Sequence, residues 1–441
     1  MIREDLHRLE AEGKPIRVGV SGAGWIGSGF VRQVSHMQGM VVNVLADEDL
    51  SAARQAFLDC GYRGESIIEA HRPNEAMDAL RAGKRVITTS YRLAAQLEHV
   101  DIVADVTPFP ATGAETASAC IEYGKDIVMV NIEADVTVGH ILKDKAEKAG
   151  VLYTVSSGDE PGCLAELYDF VTSLGYEVIV IGKGKNNPLN RAANPDTVAE
   201  SARKANKDPF AVASYVDGTK TMFEMTCAAN AMGCHPMQRG MLGPEATLDN
   251  VSQIFALEED GGLTKFPGAV DFVQGQSMTG GVFITVRIQD PRIAADLQYL
   301  KVGKSNYFTF FRPYHLWFLE APISVARAHI YRKATLMPLD EPVADVMTIA
   351  KCDLQPGDRL DTFGGYTFYG VIDQAGTTRG LEALPVGLAP GAKISRPIKT
   401  GDVITWGDVT LDESQTVVKL RRKQDRLHQK YFENMKNSIG G

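Results

Sequence analysis

The chain is poor in the features that mark several functional classes. It has only six cysteines among 441 residues, at positions 60, 120, 163, 227, 234 and 352. No two form a CxxC pair and no histidine stands at zinc-finger spacing, so a disulfide framework and a zinc module are both excluded, and the thiols read as reduced and mostly buried. No apolar run reaches the roughly 18 residues a membrane-spanning helix needs. Residues 1–10 read as a charged amphipathic helix with neither an apolar signal core nor a small-residue cleavage site, so the protein is expected in the cytoplasm, without a membrane partner. Basic charge is scarce too: 46 Lys and Arg against 55 Asp and Glu give a net charge of −9. That argues against a nucleic-acid partner and leaves room for a local basic pocket. The one basic run, Lys419-Leu420-Arg421-Arg422-Lys423, sits in a charged C-terminal helix and reads as a solvated face.

What is present is a soluble, globular composition, 44% hydrophobic and 23% charged, on a chain too long for one core. Its strongest local signal is Gly22-Ala23-Gly24-Trp25-Ile26-Gly27, directly after the β-rich run Ile16-Arg17-Val18-Gly19-Val20. In that position Gly22 makes the tight turn, Gly24 admits a pyrophosphate to the backbone, and Gly27 packs helix on strand, with Trp25 and Ile26 at the helix start where free N–H groups face phosphates. A second apolar strand, Met40-Val41-Val42-Asn43-Val44-Leu45, ends on Asp47-Glu48-Asp49 and completes a βαβ unit with an acidic tip. Dinucleotide binding follows as the expectation. Asp47 suits a ribose 2′-hydroxyl and thus NAD, whereas Arg54 on the next helix has the reach for the 2′-phosphate of NADP.

The βα alternation continues through 101–106, 114–121, 124–131, 139–149 and 151–155, which predicts an α/β, Rossmann-type doubly wound parallel sheet. Thr107, Pro108, Asn131 and residues 156–160 then border the crevice beyond the carboxyl ends of the strands. From about 162 a helix (164–174), a strand (177–181), a polar loop (182–190) and a helical stretch (209–232) predict an α+β substrate domain. Turn pairs at 356–357, 364–365, 390–391 and 400–401 mark a small β-rich C-terminal domain. The expected division is 1–161 for the nucleotide domain, 162–341 for the substrate and oligomerisation domain, and 342–441 for the β domain with its terminal helix.

Three clusters concentrate titratable groups. Asp159 and Glu160 follow a strand; they are either solvated loop charges or a pair that opens into the crevice to bind a divalent ion or substrate hydroxyls. Lys220 and Glu224 stand at i,i+4 on one helix, either as a surface salt bridge or as a charged end to a buried stripe, with Asp217 as its cap. Lys304, Arg312 and His315, with Ser305, Asn306 and Tyr307, form a donor set for a phosphate or carboxylate, or else aromatics packed on an arginine.

Val128-Met129-Val130-Asn131-Ile132-Glu133-Ala134-Asp135, Gly182-Lys183-Gly184-Lys185, Asp217-Gly218-Thr219-Lys220 and Arg312-Pro313-Tyr314-His315-Leu316 together resemble the homoserine-dehydrogenase-related oxidoreductases, in the branch of 1-deoxy-D-xylulose 5-phosphate reductoisomerase-like enzymes. The tail, Arg396-Pro397-Ile398-Lys399-Thr400-Gly401-Asp402-Val403-Ile404-Thr405, is similar to a SAF domain. Two departures from homoserine dehydrogenase, Ile132 after Asn131 and the exchanged order of Lys220 and Glu224, speak against homoserine. The resemblance implies isomerisation of 1-deoxy-D-xylulose 5-phosphate and its reduction to 2-C-methyl-D-erythritol 4-phosphate, a step of isoprenoid-precursor synthesis, with NADP(H) as cofactor, NAD(H) not excluded and a divalent metal possible. The alternatives are an NAD-dependent dehydrogenase or oxidoisomerase of a branched sugar acid and, from another class, a nucleotide- or carbohydrate-binding sensor. Asp159, Glu160, Lys183, Lys220 and Glu224 are the catalytic candidates. Lys185, Asn187, Lys304, Arg312 and His315 are the candidates for holding a phosphorylated sugar or sugar acid, in a homodimer or homotetramer.

Overall fold

The computed structural model describes residues 1–300, 302–303 and 305–439, with side chains as far as 429. Two compact units emerge, and both are discontinuous in sequence. The first comprises Met1–Gly162, Leu316–Asp340 and the helix Thr416–Ile439; the second comprises Cys163–His315 and Glu341–Ser414.

In the first unit seven strands form one sheet: β1 (Ile16–Ser21), β2 (Met40–Ala46), β3 (Ile67–Glu69), β4 (Arg85–Thr88), β5 (Ile102–Asp105), β6 (Asp126–Met129) and β7 (Tyr153–Val155). Their order is β3-β4-β2-β1-β5-β6-β7, and every neighbour pair is parallel. Strands buried on both faces are mostly apolar, which is why β5 and β6 read as short continuous runs rather than alternating ones, each with a buried Asp only at one end, Asp105 and Asp126. The chain changes direction across the sheet between β1 and β5, which is where doubly wound folds bind their ligands. Val18, Val20, Phe30, Leu45, Ala104 and Val128 lie at the centre of this core, and Ala321, Val325 and Ala328 of the returning helix Ala321–Tyr331 join it.

The helix after β6 is longer than the periodicity predicts. It runs Ile132–Lys148 because Asn131 caps it, its side-chain oxygen accepting the Ala134 N–H at 2.9 Å. The C-terminal helix lies against it, and the basic run is not wholly solvated: Arg421 is buried, its Nη1 donating to the Thr137 carbonyl at 3.2 Å.

In the second unit β8 (Glu177–Lys185), β9 (His235–Pro236), β10 (Ala269–Gln274), β11 (Val282–Arg287) and β12 (Tyr307–Arg312) form a mixed sheet of order β12-β11-β8-β10-β9. Two sequence expectations change here. The strand expected to end at 181 continues through Lys185. The helical stretch expected over 209–232 is two helices, Pro209–Val216 and Thr219–Met232, broken at Gly218, whose φ of +85° favours glycine. The tail contributes an antiparallel pair, β13 (Ala344–Ala350) with β14 (Phe368–Gln374), and a shorter one, β15 (Lys393–Ile394) with β16 (Val409–Thr410). Among the described residues no helix is long and apolar enough to cross a membrane.

Candidate active site

The three fingerprint glycines meet three different demands. Gly22 has φ +107° and turns the chain out of β1. A side chain on Gly27 would run into the Gly22 carbonyl, so its absence lets the helix Trp25–Ser35 approach the strand. A Cβ on Gly24 would meet nothing within 4 Å. That open approach, at the residue capping a helix N-terminus, fits a dinucleotide pyrophosphate. Ile26 packs into the core, whereas Trp25 is exposed beside the loop.

At the tip of β2, Asp47 Oδ2 accepts the Ala23 N–H at 2.6 Å and Oδ1 accepts the Asp49 N–H at 2.8 Å. The carboxylate is thereby fixed next to the glycine loop. Burial, with the charges of Asp47 and Glu48, pushes the Tyr91 hydroxyl up to about 12. Arg54 turns elsewhere: its Nη1 donates to the Ile67 carbonyl at 3.1 Å.

Thr107 and Asn131 belong to a buried network centred on Asp105, which the sequence reading did not single out. Asp105 Oδ1 accepts from the Thr107 N–H and hydroxyl at 3.2 and 2.9 Å, and Oδ2 accepts from Asn131 Nδ2 at 3.0 Å. The same amide reaches the Phe109 carbonyl at 3.0 Å, so this network shapes the loop that presents the exposed Pro108. Burial nevertheless pushes the Asp105 carboxyl up to about 7. A charged residue closing an otherwise apolar strand is the signal that would have found it. Asp159 and Glu160 are only 2% and 3% exposed at the turn from β7 into the helix Glu160–Ser173, so they are not solvated loop charges.

The second unit carries its own charged cluster. Lys183 and Lys185 alternate with Gly182 and Gly184 along β8, which puts both lysines on one face of the strand. The opposite face is crowded: a Cβ on Gly182 would lie 2.6 Å from the Asp271 carbonyl oxygen and 2.6 Å from the Phe283 ring. Lys183 forms a direct ion pair with Glu224 of the helix Thr219–Met232, and both side chains are buried, at 7% and 4% exposure. Lys185 Nζ donates to the carbonyls of Asn187 and Tyr215 at 2.8 and 2.7 Å. Burial and the neighbouring Lys183 charge bring Lys185 down to about 8. Lys220 is half-buried on the same helix as Glu224. The expectation of a Lys220/Glu224 face thus gains a partner from a different element, which local spacing does not reveal.

The tail grips this helix at both ends. The helix is capped by Gly218 and not by Asp217 as expected; Asp217, one residue earlier, accepts the Thr219 N–H at 2.8 Å and pairs with Lys351 Nζ at 2.8 Å. Lys351 also donates to the carbonyls of Ala193 and Gly365, both at 2.8 Å. The Gly370 N–H donates to Thr219 Oγ1 at 3.0 Å. At the other end Asn230 Oδ1 accepts the N–H groups of Val343 and Ala344 at 2.8 and 3.0 Å.

Of the expected anion grip, Arg312 Nη1 pairs with Glu166 at 3.0 Å and its guanidinium lies 4.8 Å from the Tyr314 ring centre. His315 Nδ1 donates to the Gly280 carbonyl at 2.8 Å. Asn187 takes part through its backbone carbonyl, and Lys304 lies outside the described residues.

Two family models match the chain. Residues 22–156 match the NAD-binding domain of homoserine dehydrogenase, and residues 158–321 match the catalytic domain of oxidoreductase DRL. No curated protein matches. Similar solved structures include a probable dehydrogenase from Thermotoga maritima, at 13% identity and TM-score 0.42, covering 72% of this chain and 90% of that one. An NAD-binding oxidoreductase from Klebsiella pneumoniae is similar at 16% identity and TM-score 0.28, over 41% and 44% of the two chains. An oxidoreductase from Agrobacterium radiobacter in complex with NAD+, L-tartaric acid and magnesium is similar at 10% identity and TM-score 0.27, over 39% and 45%. With its homoserine-dehydrogenase-type NAD-binding domain followed by a DRL-type catalytic domain, the chain is a nicotinamide-nucleotide-dependent oxidoreductase.

Proposed function

We propose that the chain isomerises and reduces an α-hydroxyketone of the 1-deoxy-D-xylulose 5-phosphate type, with the acid–base work done by Lys183, Glu224 and Lys185. The observation that carries this reading is the buried Lys183–Glu224 pair. Such a pair is poor evidence for stability, because desolvation offsets its attraction. Perturbed, buried charges gathered on two elements are a better sign of chemistry. Rearranging a hydroxyketone requires a base to take a hydroxyl proton and a cation to hold the developing oxyanion. Glu224 suits the first task and the Lys183 ammonium the second. Lys185, brought down to about 8, is placed in the range where it releases and recovers a proton near neutrality. A bound reduced nicotinamide nucleotide supplies the hydride. Asp159 and Glu160 remain the candidate ligands for a divalent ion.

For the cofactor we favour NAD(H). A 2′-phosphate would meet the fixed Asp47 carboxylate, and Arg54 is engaged with a backbone carbonyl. A second reading, oxidation of an unphosphorylated branched sugar acid, is favoured by the Arg312–Glu166 pair, which lowers the positive charge available to a phosphate dianion. Incubating the protein with each nicotinamide nucleotide and 1-deoxy-D-xylulose 5-phosphate, with product identified by mass, tests the first reading. Formation of 2-C-methyl-D-erythritol 4-phosphate supports it. No turnover of that substrate, with turnover of a branched aldonate, transfers the assignment to the second.

A further inference from the structure

The nucleotide-binding loop carries an aromatic wall supplied by a distant stretch of the chain. Trp25, the residue after the second fingerprint glycine, lies edge-on to two rings. Its ring centre is 5.2 Å from that of Trp317 and 5.4 Å from that of Phe318, with interplanar angles of 80° and 77°. Residues 317 and 318 belong to the short strap Trp317–Leu319, which precedes the helix Ala321–Tyr331.

The strap is tied to the nucleotide side of the sheet at several points. The Trp317 N–H donates to the Gly158 carbonyl at 2.6 Å. Gly158, with φ +91°, has no room for a side chain, because a Cβ would strike the Trp317 carbonyl. Phe318 occupies the space over Gly29 that a side chain there would fill. Just behind, Ser157 Oγ donates to the Glu320 carbonyl at 3.1 Å and the Ser157 N–H donates to Ser324 Oγ at 2.7 Å. Trp317 itself is in the left-handed region at φ +52°, an uncommon conformation for so bulky a residue. Core packing alone gives no reason for it, since Trp317 is only half-buried and Trp25 is 54% exposed. A held, unfavourable backbone that keeps an indole beside a ligand loop is a pattern of binding sites.

We infer that Trp25, Trp317 and Phe318 form a wall along the pyrophosphate and nicotinamide half of the bound dinucleotide, and that Trp317 is a nucleotide-binding residue. The half follows from the sheet. Asp47, the ribose partner, stands at the end of β2, on one side of β1. Gly158, which anchors the strap, follows β7, on the far side of β1 beyond β5 and β6. This inference rests on the glycine loop binding a dinucleotide and is independent of the substrate.

Titration of the full-length protein with NADH and with AMP tests it. Trp317→Ala is expected to weaken NADH about tenfold, the scale of a lost aromatic contact. It leaves AMP, which lacks the pyrophosphate and nicotinamide, unchanged. Trp317→Phe restores most of the NADH affinity. In a Trp406→Phe background the remaining tryptophans, Trp25 and Trp317, report the event directly, and NADH quenches their fluorescence where AMP does not. NADH affinity unaffected by Trp317→Ala overturns the proposal, and so does an equal loss for NADH and AMP, which marks a collapsed loop. A wild-type chain that binds neither nucleotide overturns the dinucleotide reading, and the wall with it.

Discussion

Replacing Lys351 with methionine removes the ammonium that pairs directly with the buried Asp217 carboxylate. Asp217 is completely buried and Lys351 is 5% exposed, with their charged atoms 2.8 Å apart. Taking away one partner of a buried pair typically costs about 3–5 kcal/mol, because the remaining charge stays out of water. Methionine keeps most of the volume, so lost packing contributes little, while the carbonyls of Ala193 and Gly365 each lose a donor. For a unit of this size the melting transition is expected to fall by roughly 6–20 °C. The defect has a pH signature. Burial already raises the Asp217 carboxyl above its ordinary range, opposed by Lys351, and without the ammonium it rises further. A native acid that holds its proton more tightly than the unfolded chain loses stability as pH rises, so the variant is expected to melt closest to wild type in acid and furthest from it in base. Calorimetry across pH, with Asp217→Asn and the double variant completing a cycle, measures the coupling. Additive losses, or a Lys351→Met defect that is small and independent of pH, would refute the view that this pair secures the start of the helix bearing Glu224.

Gly24→Val is expected to leave the fold intact, since a Cβ there meets nothing within 4 Å, and to abolish NADH binding; Gly27→Ala, facing the Gly22 carbonyl, is expected to destabilise the first unit by about 1–3 kcal/mol. Circular dichroism and a nucleotide titration separate the two. With Asp105 pushed up to about 7 by burial, the native state retains a proton that the unfolded carboxyl releases near pH 4, so this group makes stability fall as pH rises between those values. Asp105→Asn is expected to flatten that slope in denaturant titrations, and an unchanged slope argues that another group sets it. Asp47→Ala is expected to shift the NADH-to-NADPH affinity ratio about tenfold toward NADPH; no shift would disconnect Asp47 from the ribose.

Five of the seven strands of the first unit were legible in the sequence because their signals are local, whereas β3 and β4 were not read. Apolar β runs, glycines at fixed offsets and an acidic strand tip are all read within a few residues of one another, and the parallel sheet follows from them. The second unit was harder for a physical reason. Gly182-Lys183-Gly184-Lys185 has the composition of a loop, yet it is the end of a central strand. The glycines are required by crowding on one face, and the lysines are tolerated inside by Glu224 and the Tyr215 carbonyl, both contributed from elsewhere, and by the Asn187 carbonyl two residues on. Asp105 closes a run that reads as core, and one of the groups that hold it there, the Asn131 amide, comes from beyond the next strand. The sequence does suggest that the substrate domain returns helices to the first, as Leu316–Asp340 does, but the return of the C-terminal helix depends on contacts that no window of sequence contains.

Turnover of Lys183→Met, measured beside its affinity for NADH, bears most directly on the assignment of the chemistry to the buried pair. If the Lys183 ammonium holds oxyanion charge, turnover falls by about 100-fold or more while NADH affinity, which belongs to the first unit, is unchanged in a folded protein. A folded Lys183→Met that keeps more than about a tenth of wild-type turnover would contradict it and leave Lys183 and Glu224 a structural ion pair.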